Sequence, residues 1–370
     1  MSARFLTVVL ERAFNMRDGF GREIDYMRIS VIDSCNLNCY YCNPCDNNEH
    51  CHALNILSVK EVLGIVRAAT RLGIKHFRLT GGEPLLHPQL DEMVLQIKKI
   101  PGVSSVSLTT NAVLLVQHAK WLKEAGIDSI NVSLDTIDAS EYERITKKPL
   151  LEEVKHGINA AIECGIRVKI NVVLTPQTDV VALTRYVAKK GTDIRFIEMM
   201  PVGEGHTNGV EPYKKVIGTL SKLYGEPCRI NTEKTKEINS GNDKRKIPDN
   251  GPAEYYIFPE LGIRVGLIQA IHGKFCDTCN RIRVTADGRL MPCLGSSVTM
   301  DLVPDSWDFA DDVEKDFSIV RALRAAIKAK PRCHNFNDNA VTYTKTTETK
   351  TTEIEAAEVN AARNMSRIGG

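Results

Sequence analysis

From residue 26 to residue 200 the chain alternates six times between a short strand-like run and a longer amphipathic one, and this alternation limits the fold more than any other feature. The runs "YMRISVI", "IKHFRLT", "SSVSLTT", "DSINVSL", "RVKINVVL" and "DIRFIEMM" predict strands. Helical patterns lie between them. In "SVKEVLGIVRAATRLG", Ser58 and Glu61 form a capping box, Val59, Val62, Leu63, Val66 and Ala69 make one apolar stripe, and Gly73 stops the helix. "LDEMVLQIKKI" and "LLVQHAKWLKEAG", the latter closed by Gly126, repeat the theme. Strands separated by helices join as parallel neighbours in a helix-covered sheet. A barrel, a partial barrel and a doubly wound sheet all satisfy that order.

Polar residues within the strands separate these folds. Side chains alternate with period two, so Arg78 and Thr80 share one face, as do Ser107, Thr109 and Asn111. Asn131, Ser133 and Asp135 share another, and so do Lys169 and Asn171. A parallel sheet buried on both sides would read as continuous Val, Ile and Leu. Four strands with one polar face toward their C-terminal ends instead imply a barrel-like sheet with a polar, ligand-filled interior.

Composition constrains what fills that interior. A net charge of +2 over 370 residues gives no global field for nucleic acid or anionic lipid, so any polyanion must be held by local cations. Basic and aromatic residues are not interleaved as a nucleic-acid binder requires. No apolar run reaches the roughly 18 residues of a membrane span. "FLTVVL", followed at once by charged "ER", is too short for a signal-peptide core. The expectation is a cytoplasmic protein with neither a membrane nor a nucleic-acid partner. Eleven cysteines, an odd count bunched in two places, suit metal binding in a reducing compartment better than disulfides.

The first bunch is "SCNLNCYYCNP", with Cys35, Cys39 and Cys42 delivered by the first strand to its C-terminal end. Asn36, Asn38 and Pro44 favour a loop over a helix here. Three thiolates leave one position of a four-iron cube free. A closed zinc site stays open as a reading, because Cys45, Cys51 and His52 offer further ligands. One strand later, "FRLTGGEPLLHP" places two glycines where backbone can approach a ligand closely. The second bunch is "KFCDTCNRIRVTADGRLMPCLG", with Cys276, Cys279 and Cys293. Asp287-Gly288 predicts a two-residue hairpin turn. Pairing Ala286 with Arg289 then sets Cys293 opposite Ile282, about 10 Å from Cys279. Arg281 and Arg283 share a face beside these sulfurs and suit phosphate or carboxylate recognition. A zinc ribbon completed by His272 or Cys333 is the competing reading.

Cys-x3-Cys-x2-Cys after one strand and Gly-Gly-Glu-Pro after the next resemble the radical S-adenosylmethionine superfamily, whose fold is a partial (β/α)6 barrel. The second three-cysteine set, the Arg-x-Arg beside it and the ending "MSRIGG" narrow the resemblance to the GTP 3′,8-cyclase family of molybdenum-cofactor biosynthesis (MoaA type). It runs from "DGFGREIDYMRISVIDSCNLNCYYC" through "RLTGGEPLL", "SLTTNAVLL", "INVSLD", "VKINVVL" and "RFIEMMPVG" to the tail.

That resemblance implies an α/β fold with the barrel in residues 1–240 and a C-terminal auxiliary-cluster domain in 241–370; the polar stretch 231–251 reads by its composition as a linker between them. The resemblance also implies two 4Fe-4S clusters. Cys35, Cys39 and Cys42 would hold the catalytic one, whose open iron chelates S-adenosyl-L-methionine, contacted by Tyr41, Gly82, Ser133 and Met200. Arg28, Arg78, Thr109 and Lys169 would bind GTP, joined by Arg281, Ile282 and Arg283. Cys276, Cys279 and Cys293 would hold the auxiliary cluster, whose free iron meets the guanine, and Gly369 and Gly370 would reach into the active site. The implied reaction removes hydrogen from the ribose 3′ carbon with a 5′-deoxyadenosyl radical, joins that carbon to guanine carbon 8, and ends with a further reduction. A flavodoxin- or ferredoxin-like electron donor, a downstream pterin synthase and a homodimer complete the implied partners. A radical enzyme acting on a peptide and a zinc-ribbon protein are the alternatives. "TTNA" departs from the family's Thr-Thr-Asn-Gly, and the loop after Cys42 carries two additional cysteines.

Overall fold

The computed structural model describes residues 16–42, 55–202, 209–230, 251–296, 298–302, 312–334 and 336. The six expected strands are β1 (Tyr26–Ser30), β2 (His76–Thr80), β3 (Ser105–Thr110), β4 (Ser129–Ser133), β5 (Val168–Val173) and β6 (Asp193–Ile197). Each pairs in parallel with the next. The helices between them are α1 (Val59–Arg71), α2 (Leu90–Lys98), α3 (Leu115–Glu124), α4 (Ala139–Thr146), α5 (Leu151–Glu163) and α6 (Val180–Lys189). Helix α1 begins at the capping box, buries Val62, Val66 and Ala69, and gives way to Gly73 at φ +85°. The outward strand residues, such as Met27, Ile29, Phe77, Leu79, Ile130 and Val132, are buried against these helices. Period two then turns the polar residues inward.

The C-terminal half extends both edges of this sheet. On the β6 side come β7 (Cys228–Ile230), α7 (Gly218–Tyr224) just before it in the chain, β8 (Glu254–Ile257) and β9 (Arg264–Ile268). Strand β9 is parallel to β6 and antiparallel to β8. On the β1 side, β10 (Arg281–Val284) runs parallel to β1, followed by β11 (Arg289–Met291) and β12 (Met300–Asp301). Among the described residues the order is β12-β11-β10-β1-β2-β3-β4-β5-β6-β9-β8-β7, twelve strands in one sheet. Helix α8 (Asp312–Lys328) docks on α1 through an ion pair between Arg71 and Asp316 at 2.6 Å. Strands from both sides of the expected 240/241 boundary therefore share one sheet. Residues 231–250 of the expected linker lie outside the described residues.

Two consequences position the site. Strand β9 finishes at the C-terminal mouth and β10 starts at the opposite mouth, so residues 269–280 run back along the barrel carrying Cys276 and Cys279. The hairpin between β10 and β11 corrects the expected register. Its loop has three residues, 286–288, with the Thr285 N–H donating to Arg289 O at 2.8 Å and Gly288 at φ +77°. The Thr285 hydroxyl oxygen also accepts the Arg289 N–H at 3.0 Å, a bond that favours the wider loop. Arg283 pairs with Met291 and Val284 with Leu290. Continued outward, this register sets Cys293 opposite Arg281 rather than Ile282, one residue nearer Cys279.

Candidate functional site

The inward faces enclose a cavity of about 800 Å³, lined from β10 through β1 to β6 and on to β9. Only a sheet curled on itself brings Arg283 and Ile268 to the same space. Cys35, Cys39 and Cys42 line one end, beyond the C-terminal end of β1. Cys276 and Cys279 line the other, immediately before β10, whose Arg281 sits beside Tyr26 at the start of β1. The length of β1, about 13 Å, lies between the strand ends from which the two sets extend.

The first cysteines sit in a loop, not a helix, as the asparagines and proline required. It leans on α4 through Asn38 N–H to Thr146 O at 3.0 Å and Tyr40 N–H to Ile145 O at 3.1 Å. Sulfur Sγ of Cys35 accepts from the Leu37 N–H at 3.4 Å and from Asn111 Nδ2 at 3.8 Å. Burial pushes the Cys35 thiol up to about 11 and Cys42 up to about 12. Cys39 also rises, by burial and then by the Cys42 charge. Such thiols stay protonated unless a cation takes the proton's place.

The "GGEP" turn is what fixes this loop. A Cβ on Gly82 would lie 2.1 Å from Ser34 O, and one on Gly81 would lie 2.3 Å from Ile32 O. The glycines therefore serve backbone-to-backbone approach, with Gly82 N–H donating to Ile32 O and Glu83 N–H to Ser34 O, both at 2.8 Å. Gly82 also lines the cavity. Glu83 is fully buried and accepts from Thr110 Oγ1, Asn111 N and Leu85 N. Burial raises its carboxyl to about 7. Opposite, Asp135 accepts from the Tyr41 hydroxyl and from Val173 N, and burial raises it to about 6. Ala112, in the "TTNA" departure, stands at φ +66°, a left-handed conformation that costs a non-glycine residue about 1–2 kcal/mol.

Between the cysteine sets the wall is cationic. Arg28 stands in register with Arg283 on one side and Arg78 on the other. Burial, then the Arg283 charge, holds the Arg28 guanidinium well below its ordinary value. Burial, then Arg281, brings Arg283 down to about 10. Arg78 donates to the Tyr26 hydroxyl and, at 3.4 Å, to Thr109 Oγ1. Cations crowded against their mutual repulsion constitute an anion site. Lys169, Ser133 and Met200 line the same cavity. Among the described residues, Asn131 Oδ1 on the lining is buried with no hydrogen-bond partner.

Around the second set, burial raises the Cys279 thiol, but the Arg281 and Lys330 charges outweigh it and bring it down to about 7. Arg22, which sequence reasoning passed over, ties this loop down. It pairs with Asp18 at 2.5 Å and donates to Cys276 O at 2.7 Å, Arg332 O at 2.9 Å and Pro331 O at 2.6 Å. Its only signal was its place in "DGFGRE". Ile282 does not reach the cavity; it is buried in the core behind the strand, as period two demands. Gly369, Gly370, Cys45, Cys51 and His52 lie outside the described residues.

The donor sets fit iron–sulfur chemistry. All six cysteines are free thiols. Among the described residues no three His, Cys, Asp or Glu side chains close around one metal ion. Three thiols per set, none in a disulfide, are the donors of a cluster that leaves one iron free for another ligand.

Residues 29–182 match the family model described as Radical SAM superfamily, and residues 192–336 match Molybdenum Cofactor Synthesis C. The structure of Streptococcus suis SuiB bound to S-adenosylmethionine gives a TM-score of 0.52 at 16% identity, over 87% of this chain and 72% of that one. That likeness is one of fold. Fold and site together define a radical SAM enzyme, a class that carries a 4Fe-4S cluster and S-adenosylmethionine. GTP 3′,8-cyclase of Clostridium perfringens (strain SM101) is 35% identical over 87% of this chain and 95% of its own length. The Peptoclostridium acidaminophilum protein of the same name is 37% identical over 87% and 94%. The chain belongs to the GTP 3′,8-cyclase family. Among the described residues, no helix is long and apolar enough to cross a membrane.

Proposed function

We propose that this enzyme converts GTP to (8S)-3′,8-cyclo-7,8-dihydroguanosine 5′-triphosphate, the first step of molybdenum-cofactor biosynthesis. One observation carries the reading: a single cavity has a three-cysteine set at each end and a bank of buried cations between them. Cys35, Cys39 and Cys42 hold the catalytic cluster, and Cys276, Cys279 and Cys293 hold a second. When bound, the catalytic cluster and S-adenosylmethionine supply a hydrogen-abstracting radical. Tyr41, Gly82, Ser133 and Met200 surround that end of the cavity. Arg28, Arg78, Thr109, Lys169, Arg281 and Arg283 take the triphosphate and ribose, spanning the sugar between the two ends. The curled sheet keeps water from the reacting carbon. Gly369 and Gly370 complete the site from the tail, and an external flavodoxin- or ferredoxin-like donor supplies electrons.

The test is anaerobic incubation with GTP, S-adenosylmethionine and dithionite. The expected result is 5′-deoxyadenosine together with a product isomeric with GTP, separated from it by chromatography. Cleavage of S-adenosylmethionine with GTP left unchanged would reject the reading.

A further inference from the structure

Lys330 stands just past the C-terminal end of α8 and is 3% exposed. Its ammonium donates to Arg281 O at 2.8 Å and to Pro292 O at 2.9 Å. Arg281 opens β10 two residues after Cys279, and Pro292 follows the end of β11 one residue before Cys293. Strand β11 ends at Met291, so beyond it no ladder partner holds these strands together. Lys330 takes that place. Among the described residues its hydrogen-bond partners are two neutral carbonyls. A buried ammonium is stabilised by negative charge close to it, and its charge already acts on the Cys279 thiol. The cavity it lines offers other cations, Arg281 and Arg283, and the sulfurs of Cys279 and Cys293.

We propose that Lys330 is a positioning residue for the second cysteine set. Its ammonium staples the start of β10, just after Cys279, to the segment past β11 that leads into Cys293, and its charge favours the reduced form of a cluster held there. This rests on reading that set as an iron–sulfur site. Reduction adds one electron, drawn from dithionite, and makes the cluster more negative. A fixed cation nearby therefore raises its reduction potential.

Three full-length variants test this under anaerobic conditions: Lys330→Met, Lys330→Gln and Lys330→Arg. The readouts are iron and sulfide content and a potential titration followed by electron paramagnetic resonance. The second cluster's signal is the one lost in a Cys276→Ser, Cys279→Ser, Cys293→Ser chain. Lys330→Met and Lys330→Gln should lower the reduced-to-oxidised ratio of that signal about tenfold at fixed potential, a shift of about 59 mV for one electron. Loss of that cluster alone, with the first signal intact, equally supports the staple. Lys330→Arg should retain the iron and most of the potential. Wild-type iron and potential in the Met and Gln variants would overturn the proposal, as would Arg behaving like Met. A wild-type chain without any second signal would instead reject the underlying reading of the cysteines.

Discussion

Replacing Gly82 with Ala tests whether the "GGEP" turn sets the position of the first cysteine loop. A Cβ at this position would meet Ser34 O at 2.1 Å, Ser34 C at 2.5 Å and Asp33 O at 2.6 Å. All three atoms are main chain, and each lies about 1 Å or more inside van der Waals contact. No rotamer change relieves that, so residues 33 and 34 must move, together with Cys35 beside them. Overpacking of this kind costs about 1–3 kcal/mol. The shift also weakens the Gly82-to-Ile32 and Glu83-to-Ser34 hydrogen bonds, worth about 1 kcal/mol each. The sum is roughly 3–5 kcal/mol, a large share of the about 5–15 kcal/mol that holds a folded protein. Anaerobic urea unfolding measures the loss, and iron analysis shows whether the loop still carries its cluster. The control is Gly218→Ala, where the added methyl meets nothing within 4 Å on a helix and should be neutral or stabilise by up to about 1 kcal/mol. Should Gly82→Ala unfold within about 1 kcal/mol of the wild type with its iron retained, the close approach is not what fixes the loop.

Three further outcomes follow from the geometry. Arg22→Ala leaves the buried Asp18 carboxylate unpaired and releases the Cys276 carbonyl, so unfolding should cost about 3–5 kcal/mol less and the second set should lose iron first; equal loss from both sets would contradict this. The Arg281→Ala, Arg283→Ala double variant should weaken GTP binding at least tenfold while keeping its iron, as equilibrium dialysis would show; unchanged affinity removes their role. Glu83 carries a folded-state value of about 7 against an ordinary 4.5, so the folded chain holds its proton more tightly than the unfolded one. The stability this contributes, about 3 kcal/mol, is fully present below about pH 4.5 and is lost as pH rises through 7. Glu83→Gln should flatten that part of the unfolding free energy between pH 5 and 8, and an unaltered slope would assign the effect elsewhere.

The cysteines, the polar strand faces and the capping box of α1 were legible because each is a local pattern with a fixed period or spacing. Arg78, Thr109, Asn131 and Lys169 could be placed on inner faces from alternation alone, and they line the cavity. Arg22 and Lys330 were not legible. Both act on main-chain carbonyls far away in sequence, which no local pattern records. The hairpin register failed for a related reason. Asp287-Gly288 fits a two-residue turn, but the Thr285 hydroxyl bond to Arg289 favours a loop one residue longer. The paired glycines were recognised as a site of close approach, yet what approaches Gly82 is the backbone of Ser34.

By itself the sequence determined a parallel, helix-covered sheet with a polar interior and two three-thiol sets, because hydrophobic period and residue spacing are properties of a chain read along its length. Only the tertiary structure decided that β10 joins β1 in parallel, which sends the 269–280 segment back along the barrel and puts the two sets at opposite mouths of one cavity. Strand pairing between residues about 250 positions apart depends on how the closed sheet shares its hydrogen bonds and buries its edges. No local run of residues encodes that choice.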